Sequence, residues 1–154
     1  MKNKKRIMFV CLGNICRSPM AEFIFKKIAS SHEYEFEVAS SATSSEEYGN
    51  PVYPPAAEIL ARHSISCRGK RAVKFTKEDY AYYDLIVCME SRHIKSVERI
   101  VGRDPQGKLC RLLDFSDNPR DIADPWYTGD FEKAYDEIYT GCLALYKHLT
   151  ASKN

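Results

Sequence analysis

No apolar run in this chain approaches the roughly 20 residues that a membrane-spanning helix requires. The stretch Ile7-Met8-Phe9-Val10 is also too short for the hydrophobic core of a secretory signal. Neither sign of charge dominates: 23 Lys and Arg stand against 21 Asp and Glu, whereas a dedicated nucleic-acid surface needs a strongly basic face. No C-x-x-C pair occurs among the six cysteines Cys11, Cys16, Cys67, Cys88, Cys110 and Cys142. The histidines His32, His63, His93 and His148 are scattered, without the short ligand spacing of a metal site. These absences lead us to expect a cytoplasmic protein with reduced thiols, no metal, and neither a membrane nor a nucleic acid as partner.

What is present is enough for one core. The 154 residues are 44% hydrophobic and 12% aromatic, which suits a single domain over 1–154, with residues 1–5 a basic leader and 151–154 a frayed tail. Short β-branched runs alternate with helical patterns, the signature of βαβ units. We read strands at Arg6–Cys11, Glu35–Ser40, Asp84–Met89 and Leu109–Leu113. Helices are expected from Ser18 as N-cap with Pro19 at the first position, over Pro55–His63, after the capping box Thr76-Lys77-Glu78-Asp79, and from Ser91 as cap. A last helix should follow Asp130, its apolar face carrying Phe131, Ala134, Tyr135, Ile138, Cys142, Leu145, Tyr146 and Leu149. The fold class expected is α/β, a doubly wound four-stranded parallel sheet of order 2-1-3-4 with helices on both faces. In such sheets ligands bind where the winding reverses, and Cys11 falls there.

The run Val10-Cys11-Leu12-Gly13-Asn14-Ile15-Cys16-Arg17-Ser18-Pro19 joins the first strand to the first helix. Leu12, Gly13, Asn14, Ile15, Cys16, Arg17 and Ser18 all carry backbone N–H groups, so a curled loop can aim several donors at a phosphate-sized anion. The helix start and the Arg17 guanidinium both favour a thiolate at Cys11, the form that attacks phosphorus. Arg17 can grip two phosphate oxygens with its planar fork. Ser18 can donate its hydroxyl to the sulfur and help it leave again. Gly13 is expected to supply a backbone conformation closed to other residues, while Asn14 tolerates the left-handed region and ties loop segments together.

Ester cleavage also needs a proton donor for the leaving oxygen. Asp124 is the candidate, held extended by Pro125 and followed by Trp126 and Tyr127, which can wall a slot for an aromatic leaving group. Its pKa would have to rise for it to donate at neutral pH. Asp121 is the weaker alternative.

Through these two motifs, together with Lys77-Glu78-Asp79 and Val87-Cys88-Met89, nearly the whole chain resembles the low-molecular-weight protein tyrosine phosphatase family. The resemblance implies a flavodoxin-like sheet and hydrolysis of phosphotyrosine and aryl phosphate monoesters through a phosphocysteine. It implies Cys11 as nucleophile, Arg17 as clamp, Asp124 as acid, and Asn14 and Ser18 as loop supports. Partners would be phosphotyrosine proteins or peptides, with inorganic phosphate and other oxyanions as ligands, and the resemblance implies no metal or organic cofactor. Cys16 would be redox-regulatory, closing a reversible disulfide with Cys11 under peroxide.

Two departures from the family pattern stand out. Lys70 occupies the place of a histidine that supports the loop through Asn14, so that support should be built differently here. Glu46-Glu47-Tyr48 stands where many members carry a tryptophan; Tyr48 could replace the aromatic wall, and the two carboxylates would repel acidic residues flanking a phosphotyrosine. Thiol-linked arsenate reductase chemistry would need relay cysteines that Cys67, Cys88 and Cys110 do not offer by spacing, and a phosphocarrier or a silent phosphate-binding module would have no use for Asp124.

Overall fold

The computed structural model describes residues 4–30 and 34–151. Four strands, β1 (Lys4–Cys11), β2 (Glu35–Ala42), β3 (Leu85–Cys88) and β4 (Leu109–Arg111), pair in parallel in the order β2-β1-β3-β4. Parallel neighbours need crossovers, and six helices supply or follow them: α1 (Arg17–Ile28), α2 (Pro54–Arg62), α3 (Lys77–Tyr82), α4 (Ser91–Val101), α5 (Pro125–Thr128) and α6 (Phe131–Leu149). The doubly wound sheet anticipated from the sequence is the one observed.

Side chains alternate across β1 and fill two cores. Ile7, Phe9 and Cys11 meet α1, α2 and α6 through Met20, Ile24, Phe25, Leu60, Ile138, Cys142 and Leu145, while Met8 and Val10 meet Phe75, Tyr80 and Val97 on the other face. Helix α6 lies close against a 3₁₀ turn at Leu112–Phe115 because residue 141 is glycine: a Cβ there would stand 2.5 Å from Leu112 Cγ.

Several boundaries differ from the sequence reading. The expected leader enters the sheet, with Lys4 and Lys5 already in β1; residues 1–3 and 152–154 lie outside the described residues, as does His32. β2 runs on to Ala42 because its outer edge is covered: Ala42 N–H donates to Val73 O and Ala42 O accepts from Phe75 N–H. β4 stops at Arg111, where the Asp114 carboxylate folds back onto the Arg111 N–H and guanidinium and starts the 3₁₀ turn. Glu90 rather than Ser91 is the cap position of α4. The expected caps Thr76 and Asp130 are both in use, accepting from Asp79 N–H and Lys133 N–H.

The consequence for function lies at the carboxyl end of β1. The chain leaves Cys11 between β2 and β3, where crossovers diverge to opposite faces, and turns at once into α1.

Candidate active site

The Cys11 sulfur is the focus of a small loop. Asn14 N–H donates to Sγ at 3.3 Å and Ser18 N–H at 3.4 Å, while Ser18 Oγ lies 3.0 Å away. Helix α1 begins at Arg17, so its positive end faces the same sulfur. Ser18 is therefore not the helix cap. Its hydroxyl lies beside Cys11, and Cys16 stands at the cap position without a side-chain bond. The left-handed residue is Asn14, at φ 60°, and not Gly13. At Gly13 the β2–α2 loop comes close instead: a Cβ there would lie 3.3 Å from Glu47 Cγ, a tight contact that the Glu47 side chain would have to relieve by shifting a few tenths of an ångström.

Asn14 works as expected. Its Oδ1 accepts from Val73 N–H at 3.1 Å, and its amide donates to Ser18 Oγ and Ser40 Oγ at 2.7 and 3.0 Å, tying the loop to β2 and to the edge-covering segment.

Arg17 is 1% exposed, a buried charge that requires partners. Nη1 donates to Glu90 Oε2 and to Ile122 O, both at 2.5 Å, and Nη2 lies 3.3 Å from Asp124 Oδ2. Burial opposes the charge on Glu90, but hydrogen bonds and charge from Arg17, helped by Arg92, outweigh it and hold the Glu90 carboxyl below its usual range. His93 packs beside this pair. Burial first, then the Arg17 charge, pull its pKa down to about 4, so it is neutral at pH 7 and its Nδ1 accepts from Glu90 N–H.

Asp124 is the N-cap of α5, accepting from Trp126 N–H at 3.0 Å through Oδ1 while Oδ2 faces Arg17. The extended backbone expected before Pro125 is present, with ψ at 113°. Asp121 is engaged outside the cavity, where its Oδ1 accepts from the Ser91 N–H and hydroxyl and from the Arg111 guanidinium at the start of α4.

Together these groups enclose a cavity of about 210 Å³ lined by Cys11, Leu12, Gly13, Ile15, Cys16, Arg17, Ser44, Glu46, Glu47, Asp124, Trp126 and Tyr127. Tyr48 is a correction: it is 69% exposed and outside the lining, and Glu46 and Glu47 form that side. The ring behind Trp126 is Tyr53, at 4.6 Å between centroids. Cys16 shares the cavity with Cys11, but burial, with smaller contributions from Cys11 and Asp124, keeps its thiol protonated well above the ordinary range. Burial likewise raises Cys88 and Cys142 and pushes Cys110 up to about 12, which leaves those thiols to packing.

Glu90 and Tyr53 were missed from sequence. Glu90 directly follows Met89 at the carboxyl end of β3, where a doubly wound sheet places ligand-binding side chains, and that position was the available signal. Among the described residues, no group of three or more His, Cys, Asp or Glu could hold a metal ion, and no helix is long and apolar enough to cross a membrane.

Residues 6–154 match the family model described as low molecular weight phosphotyrosine protein phosphatase. The chain is 36% identical over 151 residues to the low molecular weight protein-tyrosine-phosphatase YfkJ of Bacillus subtilis, covering 96% of this chain and 97% of that one. The crystal structure of YfkJ superposes with a TM-score of 0.93 at 35% identity, covering 99% and 98% of the two chains. A structure of Wzb from Vibrio vulnificus in complex with benzylphosphonate matches at 28% identity with a TM-score of 0.84, covering 94% of this chain and 98% of that one.

Proposed function

The chain belongs to the low molecular weight phosphotyrosine protein phosphatase family, and from that premise we propose that Cys11, Arg17 and Asp124 divide the work of phosphotyrosine hydrolysis. The convergence of two backbone N–H groups and the Ser18 hydroxyl on Cys11 Sγ, in one cavity with the buried Arg17 and with Asp124, carries this reading.

In the first step Sγ attacks phosphorus, the bond from phosphorus to the aryl oxygen breaks, and the electron pair leaves on that oxygen, which takes a proton from Asp124. Nη1 of Arg17 is held by Glu90 and Ile122 O, so the Nε and Nη2 edge is left to meet two phosphoryl oxygens. The loop N–H groups face the third. In the second step a water oxygen bonds to phosphorus and gives a proton to the Asp124 carboxylate. The bond from phosphorus to sulfur breaks, and its electron pair returns to Sγ beside the Ser18 hydroxyl. Trp126, backed by Tyr53, and Tyr127 stand at the mouth where an aromatic leaving group would lie. The benzylphosphonate held by the Vibrio relative joins an aromatic ring to a phosphoryl-like anion, the combination such a slot would take.

The test is hydrolysis of an aryl phosphate in the presence of a chelator. Asp124→Ala is expected to lower kcat about 100-fold on phenyl phosphate and far less on an ester of a more acidic phenol, because a better leaving group needs less protonation. Equal losses on both esters would remove Asp124 from the acid role, and a wild-type protein inert to aryl phosphates would sink the whole reading.

Glu46 and Glu47 also bear on peptide choice. Asn50 donates to Glu47 Oε1 at 2.8 Å and holds that carboxylate at the wall. We expect kcat/KM several-fold higher for phosphotyrosine peptides with basic flanks than with acidic ones, and the ratio should shrink as salt is raised. Equal rates on both peptides would show that the wall does not read charge.

A further inference from the structure

Helix α4 starts beside the cavity and carries a row of cations along its solvent side. At about 100° per residue, Arg92, Lys95 and Arg99 fall on one face, and all three are exposed. His93 and Val97 are buried on the opposite side, where Ile94, Ile100 and Val101 also pack inward. Arg103, just past the left-handed Gly102 cap, is exposed too and shares an open groove with Lys95 and Arg99. Among the described residues, none of Lys95, Arg99 and Arg103 forms an ion pair with a carboxylate. Two acids border the groove. The Asp104 carboxylate is committed to Tyr80 Oη at 2.6 Å and to the N–H groups of Lys108 and Leu109 at 2.8 and 3.2 Å, and Glu98 stands about 100° around the helix from Arg99. The outward row itself is basic throughout.

This row is continuous with the site. Arg92 Nε donates to Glu90 Oε1 at 2.9 Å and its Nη2 to Glu90 Oε2 at 3.3 Å, the carboxylate that also holds Arg17 Nη1. One carboxylate shared between two guanidinium groups leaves a net positive charge there. The Arg92 cation is favoured first by its bonds to Glu90 and then, over a longer range, by the charges of Asp124 and Tyr127, which places it beside the mouth. In the sheet β2 and β3 flank β1 on opposite sides. The loop after β2 brings Glu46 and Glu47 to one wall of the cavity, and α4 follows β3 on the other. The mouth is therefore acidic on one side and basic on the other.

We propose that the face of α4 formed by Arg92, Lys95 and Arg99, with Arg103 beyond it, docks an acidic segment of the phosphotyrosine protein whose modified residue enters the cavity. This rests on the phosphotyrosine reading above and extends it from the reacting residue to the chain around it. Charge complementarity and continuity with the mouth select the occupant: a chain that leaves the cavity on the β3 side passes Arg92 and then meets the remaining cations. From Arg92 to Arg99 the helix rises about 10 Å, the length of about three extended residues, so a tract of about five acidic side chains covers the row with Arg103 included. Glu46 and Glu47 act on residues next to the phosphotyrosine on the β2 side. A basic flank there and an acidic segment on the α4 side are compatible, and together they set the direction of the bound chain.

The experiment uses phosphotyrosine peptides with a tract of about five glutamates, or of glutamines as control, set about four residues before or after the phosphotyrosine. At low salt one placement of the glutamate tract is expected to raise kcat/KM about tenfold over its control, the other placement far less, and the gain should fade as ionic strength rises. The combined reversal Lys95→Glu, Arg99→Glu and Arg103→Glu lies outside the cavity. It should cut the gain below about twofold and transfer it to a lysine tract, while kcat/KM on phenyl phosphate stays unchanged. No gain in either placement, or a gain that survives the reversal, would overturn the inference and leave the phosphatase reading intact. Equal rates on glutamate and glutamine peptides, with wild type but not the reversed protein sedimenting with phosphatidylglycerol vesicles, would assign the row to a lipid surface and overturn it as well. Should the triple variant fail to fold, Lys95→Glu and Arg99→Glu are read singly, and each must remove about half of the gain or more. A wild-type protein inert to every phosphate ester would defeat the phosphatase reading instead. Fluorescence anisotropy of a labelled glutamate-tract peptide would then decide the row, since binding that the reversal leaves unchanged would overturn the inference.

Discussion

Replacing Cys11 by serine is expected to lower kcat on aryl phosphates by at least about 10⁴-fold, while the affinity for inorganic phosphate changes little. A hydroxyl at that position would still receive the Asn14 and Ser18 N–H groups, so the anion cradle would keep its shape. What disappears is the sulfur nucleophile. An alkoxide is far less accessible at neutral pH than a thiolate, and in a phosphoserine intermediate oxygen would be a poorer leaving group than sulfur. The measurement pairs kcat with competitive binding of phosphate. Cys16→Ser is the control, because Cys16 lines the same cavity but its thiol stays protonated, and it should retain activity. If Cys11→Ser kept more than a few per cent of turnover, the nucleophile would have to lie elsewhere in the cavity.

The reach of sequence reading can be judged from particular residues. Cys11, Arg17 and Asp124 were legible because each sits in a short motif whose chemistry is local: a strand end, a loop of N–H groups, a helix start, an Asp-Pro turn. The strand order was legible because alternating strand and helix patterns leave few ways to wind a parallel sheet. Ser18 shows where local rules fail. A serine before proline reads as a helix cap, but the loop turns its hydroxyl to sulfur and the helix opens two residues earlier than that reading, at Arg17. Gly13 and Asn14 are similar: glycine is the usual left-handed residue, and here asparagine takes that conformation because two serines and the Val73 N–H hold its amide. Tyr48 was misplaced because the direction of a rim side chain depends on how the whole loop is folded.

Long-range partners were beyond reach. Arg17 meets Glu90 and Ile122 from distant segments, and Asn14 meets Val73 only because residues 70–75 cover the edge of β2. No periodicity or motif encodes such meetings. The contacts of Lys70 are likewise set by the fold: its ammonium donates to Ser40 O at 2.9 Å and lies 3.7 Å from Glu22 Oε1.

Arg17→Lys, usually counted a conservative change, is expected to lower kcat by about 10³-fold and to weaken phosphate inhibition. The guanidinium satisfies two sets of demands at once. Its Nη1 is bonded to Glu90 Oε2 and Ile122 O, and only because that corner is anchored does the remaining edge face the cavity. A lysine ammonium is a single point on a flexible stem. If it pairs with Glu90, it abandons the phosphoryl oxygens. If it faces the phosphate, it leaves a carboxylate only 14% exposed, and the Ile122 carbonyl, without their donor. The thermal midpoint should therefore fall together with kcat, whereas Cys11→Ser should leave it nearly unchanged. A lysine variant within tenfold of wild-type kcat would mean that charge alone suffices at this position, and that the planar fork held by Glu90 is not what stabilises the transferring phosphoryl group.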